Sequence, residues 1–273
     1  MTLGESGTRL WHVLGMGPLW RERAPAEESA RGSSAEGASP WKNAGAVPIT
    51  ATTAQVAPGL LDWEGLEEAV ARCTACGLCH TRQQTVFAAG CQDARWMFIG
   101  EAPGAEEDAR GEPFVGQAGR LLDNMLAAIG LGREPAGVGP SGTQTGPESV
   151  YIANVIKCRP PGNRNPQPSE VAACKPFLQR QIELLQPRII VVMGRFAAQA
   201  LLATEASIAS LRGRVHELAL GARRYPVLVT YHPAYLLRTL ADKARAWDDL
   251  CLARATYEGL AAEEAAAGPV AQG

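Results

Sequence analysis

Residues 95–104 read Arg-Trp-Met-Phe-Ile-Gly-Glu-Ala-Pro-Gly. A short apolar run that breaks straight into a glycine-flanked acidic turn has the signature of a strand buried on both faces. Three further runs share it: Val150–Ile156 (VYIANVI), Arg188–Met193 (RIIVVM) and Tyr225–Thr230 (YPVLVT). Helical patterns fall around them, over 63–72, 117–130, 169–186, 195–204 and about 241–262. Strands alternating with helices predict an α/β fold, three layers deep (α/β/α), around a central four-stranded parallel sheet. Such sheets bind ligands beyond the carboxyl ends of their strands. The polar and glycine-rich segments Gly100–Gly104, Asn154–Arg164, Gly194 and Tyr231–Arg238 all fall at those ends, which points to a site there.

The rest of the chain sets the limits of the domain. Segment 24–59 is rich in Ala, Ser, Gly, Pro and Thr and shows no sustained period. It cannot bury enough apolar surface to offset its ordering entropy. Residues 1–62 are therefore expected to form a disordered extension, 63–262 the folded domain and 263–273 a flexible tail. Trp11, Trp20 and Trp41 read as incidental aromatics rather than a partner motif, and 133–149 as a surface insertion. With 46% hydrophobic residues among 273, a well-buried core is available. The net charge of −2 is not the bulk signature of a protein that coats nucleic acid, and it leaves open an enzyme gripping a short stretch through local cations. No apolar run reaches the ~18 residues that a membrane span requires, and segment 8–20 lacks a signal-like apolar core. A cytoplasmic, nucleoid-associated monomer is the expectation.

Seven cysteines are present, at 73, 76, 79, 91, 158, 174 and 251. In a chain of this size and compartment, metal ligation is a more natural use for them than disulfides. Cys73 and Cys76 form a C-x-x-C, with Cys158 and Cys174 as distant partners. Four thiolates from two regions suit a [4Fe–4S] cluster or a structural zinc, and spacing alone does not choose. Cys79 competes as a ligand, Cys91 is unassigned, and Cys251 reads as a buried free thiol on the apolar side of the last helix.

Other residues carry chemistry by position. Glu101 sits on a strand-end turn, where a carboxylate can act on a ligand. Phe114, in Gly111-Glu112-Pro113-Phe114-Val115-Gly116, falls at no core period and offers a stacking face. Asn154 interrupts an apolar strand, and its amide presents a donor and an acceptor side by side. His232 follows the last strand and is held by Pro233. Leu236-Leu237-Arg238 suits a wedge into a duplex with a cation near phosphate.

Together these segments resemble family 4 of the uracil-DNA glycosylases, the iron–sulfur branch, over about residues 64–260. The resemblance rests on C-x-x-C, GEAPG with GEPFVGQAG, NVIKCRPPGNRNP, Cys174 and HPAYLLR, in that order. It implies an enzyme that hydrolyses the N-glycosidic bond of uracil in single- or double-stranded DNA, the first step of base-excision repair. It implies a structural [4Fe–4S] cluster on Cys73, Cys76, Cys158 and Cys174. It implies Glu101 activating water, Phe114 stacking on the flipped base, Asn154 reading its edge and His232 stabilising charge at O2. It further suggests Glu107 crowding C5 against thymine. Many uracil glycosylases carry an aspartate where this chain has Ala102, a pocket-lining position, so the mechanism here works without it. A branch that crosslinks abasic DNA uses a histidine in a basic loop; residues 159–166 here read RPPGNRNP and contain none. The alternatives are a non-catalytic or crosslinking DNA-binding relative and a cysteine-based redox sensor.

Overall fold

Each of the four apolar runs forms a strand, and they lie side by side in parallel. The computed structural model describes residues 57–134, 137–138, 144–145 and 147–267, all within the unit Pro40–Gly273. The strands are β1 (Ala89–Gly90), β2 (Trp96–Gly100), β3 (Leu131–Gly132), β4 (Gly137–Val138), β5 (Gln144–Thr145), β6 (Glu148–Asn154), β7 (Ile189–Met193), β8 (Val215–Leu220) and β9 (Arg223–Thr230). The helices are α1 (Trp63–Ala71), α2 (Ala105–Arg110), α3 (Gln117–Ala128), α4 (Pro168–Leu185), α5 (Arg195–Leu202), α6 (Ile208–Leu211), α7 (Pro233–Arg238) and α8 (Lys243–Ala267).

The sheet order is β1-β6-β2-β7-β9-β8, with β3 beside the start of β6 and β4–β5 a separate hairpin. The parallel core β6-β2-β7-β9 is the expected four-stranded sheet. Antiparallel β1 and β8 extend it at the two edges. Side chains alternate between two buried faces, as the pleat requires. Met97, Ile99, Tyr151, Ala153, Ile190 and Val192 pack with α1, α4 and α5. Trp96, Phe98, Val150, Ile152, Ile189 and Val191 pack with α3 and α8. Each such side chain taken fully out of water contributes about 1.5–3 kcal/mol, so both covering layers are firmly held.

Register places the site. Gly100 pairs with Asn154 and Met193 with Thr230, so the loops after β2, β6, β7 and β9 leave the sheet along one edge. Several elements depart from the sequence reading. β8 alternates exposed and half-buried residues, the pattern of a solvent-facing edge without an apolar run. The segment after His232 is a short helix, α7, rather than a loop. The last helix continues to Ala267, into the stretch expected to be a tail, and a 3-10 turn at Pro58–Leu60 precedes α1 inside the expected extension. Residues 1–56, with Trp11, Trp20 and Trp41, and the tail beyond Ala267 lie outside the described residues. No described helix is long and apolar enough to cross a membrane.

Candidate functional site

Three side chains converge where β2, β6 and β9 end. At Gly100, an added Cβ would lie 2.5 Å from Asn154 Oδ1 and 2.6 Å from Phe114 Cζ, so only glycine leaves both groups their places. The Phe114 ring stacks on His232, with centroids 5.5 Å apart and planes 29° from parallel. Asn154 is 2% exposed, and its Oδ1 is buried without a hydrogen-bond partner. An orphaned buried acceptor is costly and calls for a missing donor.

His232 is fixed in one tautomer. It caps α7, and Nδ1 accepts a hydrogen bond from the Ala234 N–H at 3.1 Å. Burial, followed by the nearby Arg238 charge, lowers its pKa to about 4, with Glu107 opposing the shift. At neutral pH the imidazole is therefore uncharged, with its proton on Nε2, and that edge is a donor. An acceptor and a donor thus flank the same aromatic ring at the strand ends.

Glu101 follows Gly100 and lines an adjacent small opening with Val155, Pro166, Val171, Phe196 and Ala200. Burial raises its pKa to about 7, and the Arg195 guanidinium pulls the other way. Such a carboxylate is a stronger base than an exposed one, and at neutral pH about half of it is ionised. Ala102 packs toward the α1–α4 core rather than toward Phe114.

Glu107 acts on the backbone. Its carboxylate accepts from Gly104 N at 3.1 Å, Val115 N at 3.1 Å and Gly116 N at 3.3 Å. It fastens the turn after β2 to the loop carrying Phe114, and both of its oxygens are engaged in that link. Leu236 requires a correction. It is 1% exposed and packs with Tyr231 and Ala246, anchoring α7 to the body. Leu237 is 38% exposed and Arg238 follows it at the surface. One residue of helical rotation separates the buried leucine from the exposed one.

The cysteines form a second centre. Cys73, Cys76, Cys79, Cys158 and Cys174 all line one small, partly open cavity, with Arg82 and Lys157 among them. Arg82 Nη1 donates to Cys158 Sγ at 3.1 Å, and the Lys157 N–H donates to Cys174 Sγ at 3.3 Å. Burial pushes the Cys174 thiol up to about 12, against the pull of Lys157, and raises Cys158 and Cys76. Lys157 Nζ, fully buried, donates to Asn154 O at 2.8 Å and Gln181 Oε1 at 2.5 Å. The strand that ends in Asn154 is thereby tied to the cysteine centre. Cys91 lies apart, beside Asp93. Cys251 is exposed, contrary to the sequence reading, because α8 buries Ala246, Leu250, Ala253 and Tyr257.

Residues 87–251 match the uracil DNA glycosylase superfamily. A type-4 uracil-DNA glycosylase of Archaeoglobus fulgidus is 43% identical over 60% of this chain and 78% of its own length. A type-4 uracil-DNA glycosylase of Thermotoga maritima is 42% identical over 67% of this chain and 86% of its own. A type-5 uracil-DNA glycosylase of Thermus thermophilus is 33% identical over 67% and 83% respectively.

Proposed function

We propose, because this chain belongs to the uracil DNA glycosylase superfamily and within it to the type-4 family, that it hydrolyses the bond between uracil and deoxyribose in DNA. The observation that carries this reading is the orphaned Asn154 Oδ1 beside Phe114 and an imidazole locked as a donor. Uracil presents an N–H at N3 and an acceptor at O2, next to each other. Asn154 Oδ1 takes the first and His232 Nε2–H meets the second, while Phe114 stacks on the ring. Cytosine has no N3–H, so two acceptors would face each other in a buried site.

A stacked base must leave the helix to reach this pocket, at a cost of a few kcal/mol. Leu237 would fill the gap, and Arg238 would hold a phosphate. Water then attacks C1′ and passes its proton to Glu101, while the N1–C1′ bond breaks and its electron pair stays on uracil. The hydrogen bond from His232 strengthens as charge gathers at O2; losing such a donor typically costs about 10²–10³ in rate. Glu107 acts against thymine by fixing the pocket wall and not by touching the base. An oligonucleotide with one uracil should break at that position after incubation and alkali, whereas its cytosine and thymine counterparts should stay intact. An unbroken uracil strand would leave a DNA-binding relative as the better account.

Cys73, Cys76, Cys158 and Cys174 would hold a [4Fe–4S] cluster. The donor set fits: thiols from separated segments ring a cavity, two of them already receive N–H donors, and two cations offset thiolate charge. When bound, the cluster supplies a structural cross-link rather than redox chemistry. The residues around it tie the loop after α1 to the segment following β6 and to the first half of α4. Cys174→Ala should abolish the protein's iron content and visible absorption and lower Tm by on the order of 10 °C, the shift that about 3 kcal/mol gives a domain of this size. Cys79→Ala and Cys91→Ala should retain both, and iron lost from Cys79→Ala would displace one of the four ligands.

A further inference from the structure

Phe114 adopts φ +58°, a backbone conformation that a bulky residue rarely accepts. Surrounding structure must hold it there, and the strongest grip comes from a residue outside the pocket. Arg133 lies just beyond β3, with its side chain 17% exposed. Nη1 donates to Pro113 O at 2.9 Å and Nη2 donates to Phe114 O at 2.7 Å. Nε donates to Asp123 Oδ1 at 2.7 Å, which anchors the guanidinium to α3. One rigid fork therefore spans two consecutive carbonyls on either side of the strained residue.

The opposite side of the same loop is held as well. Glu107 takes the N–H groups of Val115 and Gly116. Gly119 lies so close to the Phe114 carbonyl that any side chain there would strike it. The loop is thus clamped at its carbonyls by a cation and at its amides by an anion. Between the clamps, the ring is directed toward Gly100, Asn154 and His232.

We propose that Arg133 is a positioning residue for base recognition: its bidentate hold on the Pro113 and Phe114 carbonyls keeps Phe114 in the left-handed conformation that presents its ring to the extruded base. The proposal rests on the reading of Phe114 as the stacking ring. Guanidinium is suited to the task because its donors lie in a fixed plane, whereas an ammonium reaches carbonyls only as a point charge.

The test is a double-mutant cycle on the cluster-loaded full chain with a uracil oligonucleotide. Arg133→Gln should lower kcat/KM about 10–100-fold in the parent, with the visible absorption unchanged. In a Phe114→Leu background, itself impaired, the same substitution should change kcat/KM by less than about threefold, because the ring it positions is gone. Arg133→Lys, which keeps the charge, should show an intermediate loss and the same insensitivity in the Phe114→Leu background; it decides the matter if Arg133→Gln does not fold. Equal losses from the Arg133 substitutions with and without Phe114 would overturn the proposal. A Phe114→Leu variant as active as the parent would instead overturn the stacking role on which it rests.

Discussion

Glu101→Gln is expected to reduce kcat by about 10²–10⁴ while leaving the KM for a uracil oligonucleotide within a few-fold of the parent, the pattern of a lost general base. Glu101 follows the glycine on which Asn154 and Phe114 converge and lines a small recess with apolar neighbours. That recess raises its pKa to about 7 and Arg195 restrains the rise. The base form is the ionised one, so activity should climb as pH rises through about 7 and then level off. His232 adds no acid limb in this range, since its pKa of about 4 leaves it neutral throughout. The glutamine variant should lose the rising limb together with the rate. A rising limb centred near the ordinary carboxylate range would show that burial does not set the base strength, and an unimpaired kcat would remove Glu101 from the reaction.

The parts of this molecule that the sequence discloses are those whose physics is written in side-chain type. β2, β6, β7 and β9 are apolar along their length because helices cover both faces, so the runs themselves reveal the sheet. β8 is half-buried on one face and exposed at every second residue, which leaves nothing comparable to read. Asn154 was visible because an amide in an apolar strand needs a reason. The roles of Glu107 and Arg133 were not, since their partners are backbone N–H and carbonyl groups that carry no residue identity. Leu236 and Leu237 are alike in sequence, and only the rotation of α7 sorts the buried one from the exposed one. The imidazole tautomer depends on a single contact with the Ala234 N–H, which no motif encodes.

The largest change in what the pocket accepts should come from Asn154→Asp. The buried Oδ1 has no partner within the protein, and on the proposed reading its hydrogen bond goes to the N3–H of the bound base. An aspartate retains that acceptor but replaces the amide donor with a second oxygen, which would face uracil O4 across a dry contact. Sites built to hydrogen-bond a polar group typically discriminate by about 10⁴–10⁵ against a ligand that cannot complete the bond, and this substitution turns that penalty on uracil itself. Uracil excision is expected to fall by at least about 10³. Cytosine offers an amino group where uracil offers O4, and a protonated aspartate can donate to its bare N3. The ratio of cytosine to uracil excision should therefore rise, most clearly at acidic pH, where the protonated form is more populated. Iron content and Tm close to the parent would show that the cysteine centre, joined to this strand through Lys157, had not been disturbed. Uracil excision at the parental rate would mean that Asn154 reads no base, and the pocket would then need another residue to tell uracil from cytosine.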